Sequence, residues 1–181
     1  MIPAFRLAFL GALLLCFAHS SFAQKKYALP ERGFFQMNVP AGWSDQVREA
    51  GSSLPPTLAF RPVHGQPFEV RVTPTWRAGP DAPVFTKDWI RQQVWGAVDE
   101  VKEQSLEQNI ALVEFASATG PGYYFNATDR SPKAGEYKHL LQGMVKVNEL
   151  VVTFTVLTNA GQEQVTNQAL TMIRTSVHVR P

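Results

Sequence analysis

The sequence is poor in cysteine, in clustered charge and in long apolar runs. Its one cysteine, Cys16, lies in a short apolar stretch near the N-terminus. If that stretch is removed, the remaining chain has no thiol, which excludes a disulfide, a thiolate nucleophile and a cysteine metal ligand. No later apolar stretch approaches the ~20 residues that a membrane-spanning helix needs. We therefore expect no integral membrane segment once the leader is removed.

Charge of one sign is not concentrated anywhere in the chain. There are 17 basic and 15 acidic residues among 181, and the basic residues are scattered. A nucleic-acid-binding surface requires a stripe of Lys and Arg, whereas the one adjacent basic pair is Lys25 and Lys26. This pattern excludes nucleic acid as an expected partner.

Motifs that carry chemistry are also missing. The Gly-x-Gly-x-x-Gly, P-loop and Gly-x-Ser-x-Gly patterns do not occur. The histidines outside the leader have no metal-ligand spacing, and they are His64, His139 and His178. Three glutamates fit the solvated face of a helix, namely Glu100, Glu103 and Glu107. We predict no catalytic residue, no cofactor and no metal site.

The N-terminus has the pattern of a secretory signal peptide. Arg6 precedes an apolar run, Leu7 to Phe17, and Ser21-Phe22-Ala23 provides small residues before a cut. We predict a signal peptide over residues 1–23, cleavage after Ala23, and a periplasmic or secreted protein. A lipoprotein signal around Cys16 is the alternative, although Leu15 stands where a small residue is expected.

Residues 24–33 are expected to form a flexible lead-in, and residues 34–181 a single domain. A first strand over Phe34 to Val39 ends at Pro40-Ala41-Gly42, which turns Trp43 back toward the sheet. The polar segment from Asp45 to Pro56 is expected to be a loop or a poorly ordered hairpin.

Apolar alternation predicts further strands. The first two, Thr57–Val63 and Phe68–Trp76, form a hairpin before the first predicted helix. After that helix come a strand-like segment, Asn109–Ala118, and a meander of three strands: Tyr123–Asp129, Tyr137–Val147 and Leu150–Leu157. The last has Leu150, Val152, Phe154 and Val156 on one face, with Val, Thr and Leu on the other. Apolar residues on both faces indicate an internal strand that is covered on both sides.

Two helices are predicted from a period of about 3.6 residues. The first runs from Phe85 to about Ser105 with Thr86 as N-cap. The second begins after Asn159, a possible cap, and ends near Arg174; Ser176 to Val179 is a tail that pairs with a sheet edge. The predicted fold class is α+β, an antiparallel sheet flanked by helices.

This order of elements resembles the PsbP-like superfamily. The most specific match is the turn Val39-Pro40-Ala41-Gly42-Trp43. A hairpin, a long helix that follows a Pro-rich linker, a meander and a final helix come after this turn in the same order. The likeness covers about Phe34 to Val179. It implies an α/β/α sandwich without enzymatic activity that acts through protein partners. It carries over no active residues, because the family shares no catalytic motif.

Four aromatic residues are candidates for a partner-binding surface: Trp89, Trp95, Tyr123 and Tyr124. Both tryptophans lie off the main apolar stripe of the first predicted helix, so they either widen its core face or form an exposed docking patch. The predicted function is a non-catalytic exported adaptor or assembly factor for an unidentified protein partner in the cell envelope. The alternatives are a carrier of a small apolar ligand between sheet and helix, and an exported hydrolase.

Overall fold

The structure is a computed structural model that describes residues 22–49, 51, 54–77, 79 and 81–181. The predicted signal peptide lies outside the described residues, except for Phe22 and Ala23.

Within the described residues the chain forms ten strands, two α-helices and one 3-10 helix. In chain order these are β1 (Phe22–Leu29), β2 (Gly33–Pro40), β3 (Trp43–Arg48), β4 (Thr57–Pro62), β5 (Glu69–Thr75), α1 (Lys87–Val101), the 3-10 helix (Lys102–Gln104), β6 (Val113–Ala116), β7 (Pro121–Thr128), β8 (His139–Val147), β9 (Leu150–Thr158), α2 (Glu163–Arg174) and β10 (Val177–Val179).

The described strands form two antiparallel sheets. The larger has seven strands in the order β3-β4-β5-β9-β8-β7-β6, and the smaller has three in the order β1-β2-β10. The predicted α+β class, an antiparallel sheet between helices, is confirmed. The structure adds the small sheet, which packs on the same side of the large sheet as α2.

Strand β9 lies between β5 and β8, as its two apolar faces predict. On one face Val152, Phe154 and Val156 join a core with α2 residues such as Met172 and Ile173. Residues of β2 belong to the same core, so α2 and the small sheet together cover this face.

The opposite face of the large sheet is covered by α1. Ile90, Val94 and Val98 form one buried stripe on this helix and pack against Phe125 and Val151. Thr86 caps the helix as predicted, because its side chain accepts a hydrogen bond of 3.1 Å from the amide of Trp89. The second core is therefore separated from the first by the sheet itself.

The expectation of a flexible lead-in is wrong for Gln24 to Leu29. These residues belong to β1, which pairs with β2 along its whole length and buries Tyr27 and Leu29. Each of these two side chains enters the core shared with α2, and this burial stabilises the strand.

The predicted loop from Asp45 to Pro56 also needs correction, because β3 extends to Arg48 and pairs with β4. Four of its six side chains are polar, which fits an edge strand with one solvated face. The tail is confirmed as β10, which pairs with β2. The second helix begins later than expected, and its N-cap is Gln162, whose side chain accepts a 2.7 Å hydrogen bond from the amide of Asn159.

Glu107 is not on a helix face, because α1 ends at Val101 and the 3-10 helix at Gln104. Its carboxylate accepts a hydrogen bond of 2.8 Å from the amide of Thr128 and another from the Ser105 hydroxyl. Burial opposes ionisation of Glu107, but these hydrogen bonds outweigh it and lower its pKa from 4.5 to about 2. Glu107 thus fastens the chain that leaves α1 to the end of β7.

Gly143 lies where two strands and a core ring come close together. A Cβ atom there would lie 2.6 Å from Cβ of Tyr124 and 2.7 Å from Cζ of Phe154. We expect Gly143→Ala to lower the free energy of unfolding by about 1–3 kcal/mol, because the sheet must shift to admit the methyl group. Urea denaturation of the purified variant measures this.

Gly96→Ala is the matched control, since a Cβ on Gly96 in α1 meets nothing within 4 Å. We expect it to raise the free energy of unfolding by about 0.5–1 kcal/mol, through helix propensity alone. Equal effects of the two substitutions would contradict the packing described for Gly143.

Glu107→Gln tests the link between α1 and β7. The folded carboxyl has the lower pKa, so its contribution is complete above pH 4.5 and is lost as pH falls toward about 2. We expect the variant to be less stable than the wild type by about 1 kcal/mol at pH 7, and this difference to disappear over that interval. Urea denaturation across pH measures both effects, and exposed Glu103→Gln is the control. Parallel pH profiles for wild type and Glu107→Gln would refute the assignment.

Candidate functional site

A groove of 620 Å³ lies between α1 and the β6–β7 end of the large sheet. Arg91, Trp95 and Val98 of α1 form one wall, and Tyr123 of β7 lies in its lining. The chain over residues 109–112, which leads into β6, forms the other wall. We call this the α1–β6 groove. It exists because the segment facing α1 here is irregular chain instead of a further strand.

Trp95 is the most exposed aromatic residue of the four candidates, with 50% of its surface accessible. A second cavity of 450 Å³ is lined by Asp88, Arg91, Gln92 and again Trp95. Trp95 and Arg91 line both cavities, so these two side chains lie at their common boundary. Tryptophan is among the residue types that most often anchor protein interfaces.

Tyr123 and Trp95 are brought together in the α1–β6 groove. Tyr123 is 9% exposed and packs in the core under α1. The Lys87 ammonium lies 5.8 Å from the centroid of its ring and forms an ion pair with Glu114. The hydrogen bond to Glu114 is the main cause that raises the pKa of Lys87. Lys87 is therefore a cation beside Tyr123 and Glu114, two residues that line the groove.

The other two candidate aromatics lie elsewhere. Trp89 is half-buried and packs against the core under α1, with its ring centroid 5.2 Å from that of Phe85. Tyr124 points to the opposite face of the sheet, where it packs edge-to-face on Phe115 at 5.9 Å. The structure thus separates Tyr124 from the groove and gives Trp89 a packing role.

Sequence reasoning missed the open edge of β6. This strand is the last of the large sheet and pairs with β7 alone. In the part of the chain that the structure describes, the outer side of β6 makes no backbone hydrogen bond. Edge position is set by pairing between distant segments, so the four residues Val113–Ala116 carry no local signal of it.

The histidines lie in three separate places. His64 is exposed in the loop after β4, and Nδ1 of His139 on β8 lies 3.4 Å from the Thr128 hydroxyl. His178 is buried, with Nε2 2.7 Å from the carbonyl oxygen of Arg32. No group of three or more His, Cys, Asp or Glu side chains able to hold a metal ion occurs within the described ranges.

The most buried carboxylate, Glu69, is part of an ion-pair network. Arg61 donates hydrogen bonds of 3.0 and 2.7 Å to one oxygen, and Arg71 binds the other. Burial opposes ionisation of Glu69, but the two guanidinium groups lower its pKa. This pairing holds the carboxylate ionised, as in a structural ion pair.

Asp45 is paired in a similar way with Lys25 and Tyr27. Burial opposes its ionisation, but hydrogen bonds from these two side chains lower its pKa. Burial, followed by the charge of Asp45, raises the pKa of Tyr27. The cluster joins β1 to β3, and thereby the small sheet to the edge of the large one.

Across the described residues, the helices are too short or too polar to cross a lipid bilayer.

No protein-family model matches the sequence, and no curated protein matches it. Solved structures of similar fold include two from bacteria. A crystal structure from Bacteroides thetaiotaomicron VPI-5482 aligns with a TM-score of 0.56 and 18% identity over 86% of this chain and 48% of that chain. The chain therefore spans about half the length of the Bacteroides protein.

The second is the solution structure of cyanobacterial PsbP (CyanoP) from Synechocystis sp. PCC 6803. It aligns with a TM-score of 0.55 and 13% identity over 91% of this chain and 96% of that chain. Likeness at these identities establishes architecture and not activity. Together with the two antiparallel sheets and the two helices, it shows that this chain has the PsbP-like fold.

Proposed function

We propose that this chain is a non-catalytic module that binds an extended segment of a partner protein in the α1–β6 groove, as an adaptor or assembly factor in the cell envelope. The observation that carries the proposal is Trp95, half-exposed between two cavities and next to an open sheet edge. Aromatic anchors in such positions contribute most of the binding energy in many interfaces.

The edge of β6 supplies the backbone half of the interaction. The Ser117 amide donates to the Gly120 carbonyl at 2.9 Å, and the same register continues along β6 and β7. Hydrogen-bonded and non-hydrogen-bonded residue pairs alternate along antiparallel strands. Because Ser117 is in a hydrogen-bonded pair, Glu114 and Ala116 are in non-hydrogen-bonded pairs, and their N–H and C=O groups point away from β7. An extended segment of the partner can pair with these groups and add an eighth strand to the sheet.

The α1–β6 groove supplies the side-chain half. Alternate residues of an added strand point to the α1 face of the sheet, toward the groove. Val98 and Ile110 in the lining favour an apolar side chain there, and Trp95 covers it from the helix. Arg91 and Asp99 line the same groove with opposite charges, which favours a polar surround to that apolar contact.

A carrier of a small apolar ligand is the second candidate, favoured by the position of the groove between sheet and helix. The lining of the α1–β6 groove argues against a carrier, because it includes four charged residues: Arg91, Asp99, Lys102 and Glu114. An apolar ligand would leave these groups without water or a partner, which is unfavourable. A hydrolase has no supporting group in the groove, since the lining contains neither a histidine nor a serine.

Trp95→Ala tests the side-chain contact in the groove, and Ala116→Pro tests the backbone pairing at the edge of β6. Ala116→Pro removes an outward N–H from the edge without removing one that bonds to β7. We expect each variant to retain the wild-type fold and to lose affinity for the partner by at least about tenfold. The measurement is capture from the envelope fraction of the source cells, followed by mass spectrometry of bound proteins and small molecules and by binding titrations with the protein identified.

Leu106→Ala is the matched control, because Leu106 is also exposed but does not line the groove. Its partner binding should equal that of the wild type. A protein retained equally by all variants would contradict the proposal. A small molecule retained by the wild type, and lost with Trp95→Ala in the absence of any protein, would favour the carrier.

Export is also a proposal, supported by the leader pattern over residues 1–23. We expect full-length protein produced in a bacterium with two membranes to appear in the periplasm with Gln24 as first residue, by intact-mass analysis. Cleavage after Ala23 leaves Gln24 to Leu29 of β1 paired with β2, beginning with the pair of Gln24 and Asn38. Ala23→Trp should block processing, and Cys16→Ser should not affect it. Lipid attachment that Cys16→Ser abolishes would establish the lipoprotein alternative instead.

A further inference from the structure

The flank of α1 that carries Trp95 also carries exposed charges. Five residues lie along it at intervals of 3, 4, 4 and 3 positions: Asp88, Arg91, Trp95, Asp99 and Lys102. Successive residues of an α-helix are about 100° apart, so all five side chains lie within about 40° of the direction of Trp95. All five are exposed, and Lys102, directly after α1, keeps helical dihedral angles of φ −56° and ψ −41°. We call these residues the α1 stripe.

The α1 stripe does not hold the helix to the sheet. That contact is made by Ile90, Val94 and Val98, whose buried stripe is centred about 100° around the helix from Trp95. Among the residues that the structure describes, none of the four charged members of the α1 stripe takes part in an ion pair. Their charges therefore remain available to a contact outside this copy of the chain.

The order of charges in the α1 stripe is complementary to its own reverse. Arg91 lies four residues before Trp95, and Asp99 lies four residues after it. Asp88 lies seven residues before Trp95, and Lys102 lies seven residues after it. Two such helices that pack antiparallel, with their tryptophans at the crossing point, place an acidic residue opposite a basic residue at all four charged positions. Parallel packing would instead place each charge opposite the same charge.

This self-complementarity meets the requirement of a two-fold dimer, in which the same patch of each copy contacts the other and every contact occurs twice. A helix face that is only solvated requires no particular order of signs. Trp95 lies at the centre of the α1 stripe with 50% of its surface accessible. An aromatic side chain surrounded by polar groups is the usual centre of an interface.

We infer that α1 packs antiparallel against α1 of a second copy of this chain, with Trp95 at the two-fold axis. Arg91 of each copy forms an ion pair with Asp99 of the other, and Asp88 of each copy forms one with Lys102 of the other. One helical stripe is a smaller contact than the ~800 Å² per copy of a standard interface, so the dimer is weak and sensitive to salt. The second copy covers Trp95 and thereby withholds the α1–β6 groove from a partner, a consequence that alone rests on the proposed function.

Sedimentation velocity of the protein purified from cells that express the whole sequence measures the dimer without any partner. We expect a monomer–dimer equilibrium whose dissociation constant rises at least fivefold between about 50 and 300 mM NaCl, because salt screens exposed ion pairs. Arg91→Glu and Asp99→Arg each place like charges opposite one another at two positions of the interface. Each should raise the dissociation constant at least about tenfold.

Charge exchange tests the antiparallel arrangement directly. The double variant Arg91→Glu/Asp99→Arg restores opposite charges at every position and should recover the wild-type dissociation constant to within about threefold. An equimolar mixture of the two single variants has opposite charges at every position of the heterodimer and should associate more tightly than either variant alone. Glu100→Arg is the matched control, since it makes the same change of charge as Asp99→Arg on an exposed residue outside the α1 stripe. It should associate like the wild type.

A wild type that stays monomeric up to about 1 mM at low salt would overturn the inference. A dimer that neither single variant weakens would also overturn it, and so would single variants that do not associate when mixed. Urea denaturation checks that each variant is folded. Should Arg91→Glu or Asp99→Arg fail to fold, Asp88→Lys and Lys102→Glu make the same comparison at the other pair. Partner capture is a separate measurement, so a failed dimer and a failed partner site are distinct results.

Discussion

The constraint on which the rest of the structure depends is that one helix covers one face of a seven-stranded sheet. A helix of 15 residues is only about 22 Å long, and α1 packs mainly on β7 and β8. The opposite face has more cover, since α2 and the small sheet share it. The α1 face is therefore apolar only where the helix lies, and everything beyond the helix must tolerate water.

The side chains on the α1 face of the sheet change from apolar to polar where the helix no longer covers them. Beyond α1, the strands β4 and β5 place an ion-pair network on the same face, with Glu69 held between Arg61 and Arg71. Thr57 and Thr73 bond to each other at 2.9 Å in the same area. At the other limit of the helix the sheet ends with β6, which is four residues long. The α1–β6 groove arises there because neither helix nor strand fills the space.

Local pattern was enough to predict most of the architecture. The alternation in Leu150–Thr158 identified the strand buried on both faces, and Thr86 identified the start of α1, because both signals depend on near neighbours in sequence. Strand β1 was missed because Gln24 to Lys26 look solvated, and its pairing with β2 becomes evident only when Tyr27 and Leu29 reach a core built by distant segments.

The candidate site was predictable only in part, for the same reason. Helical spacing put both tryptophans beside the apolar stripe, but their exposure depends on what lies under each ring. Trp89 packs on Phe85, whereas Trp95 faces the irregular chain before β6. The cavity that Arg32, Lys146 and His178 line could not be foreseen either, because these residues are far apart in sequence and meet only through sheet pairing.

The position of β2 has a consequence for how the molecule matures. It lies between β1 and β10, so Phe35 is paired on one side with Tyr27 and on the other with His178, near the opposite end of the chain. The small sheet cannot close until Val177–Val179 have been synthesised and have paired with β2, and contacts of such long sequence separation form slowly. An unfinished chain thus keeps part of its core open, a state in which a polypeptide can still be threaded through a narrow channel.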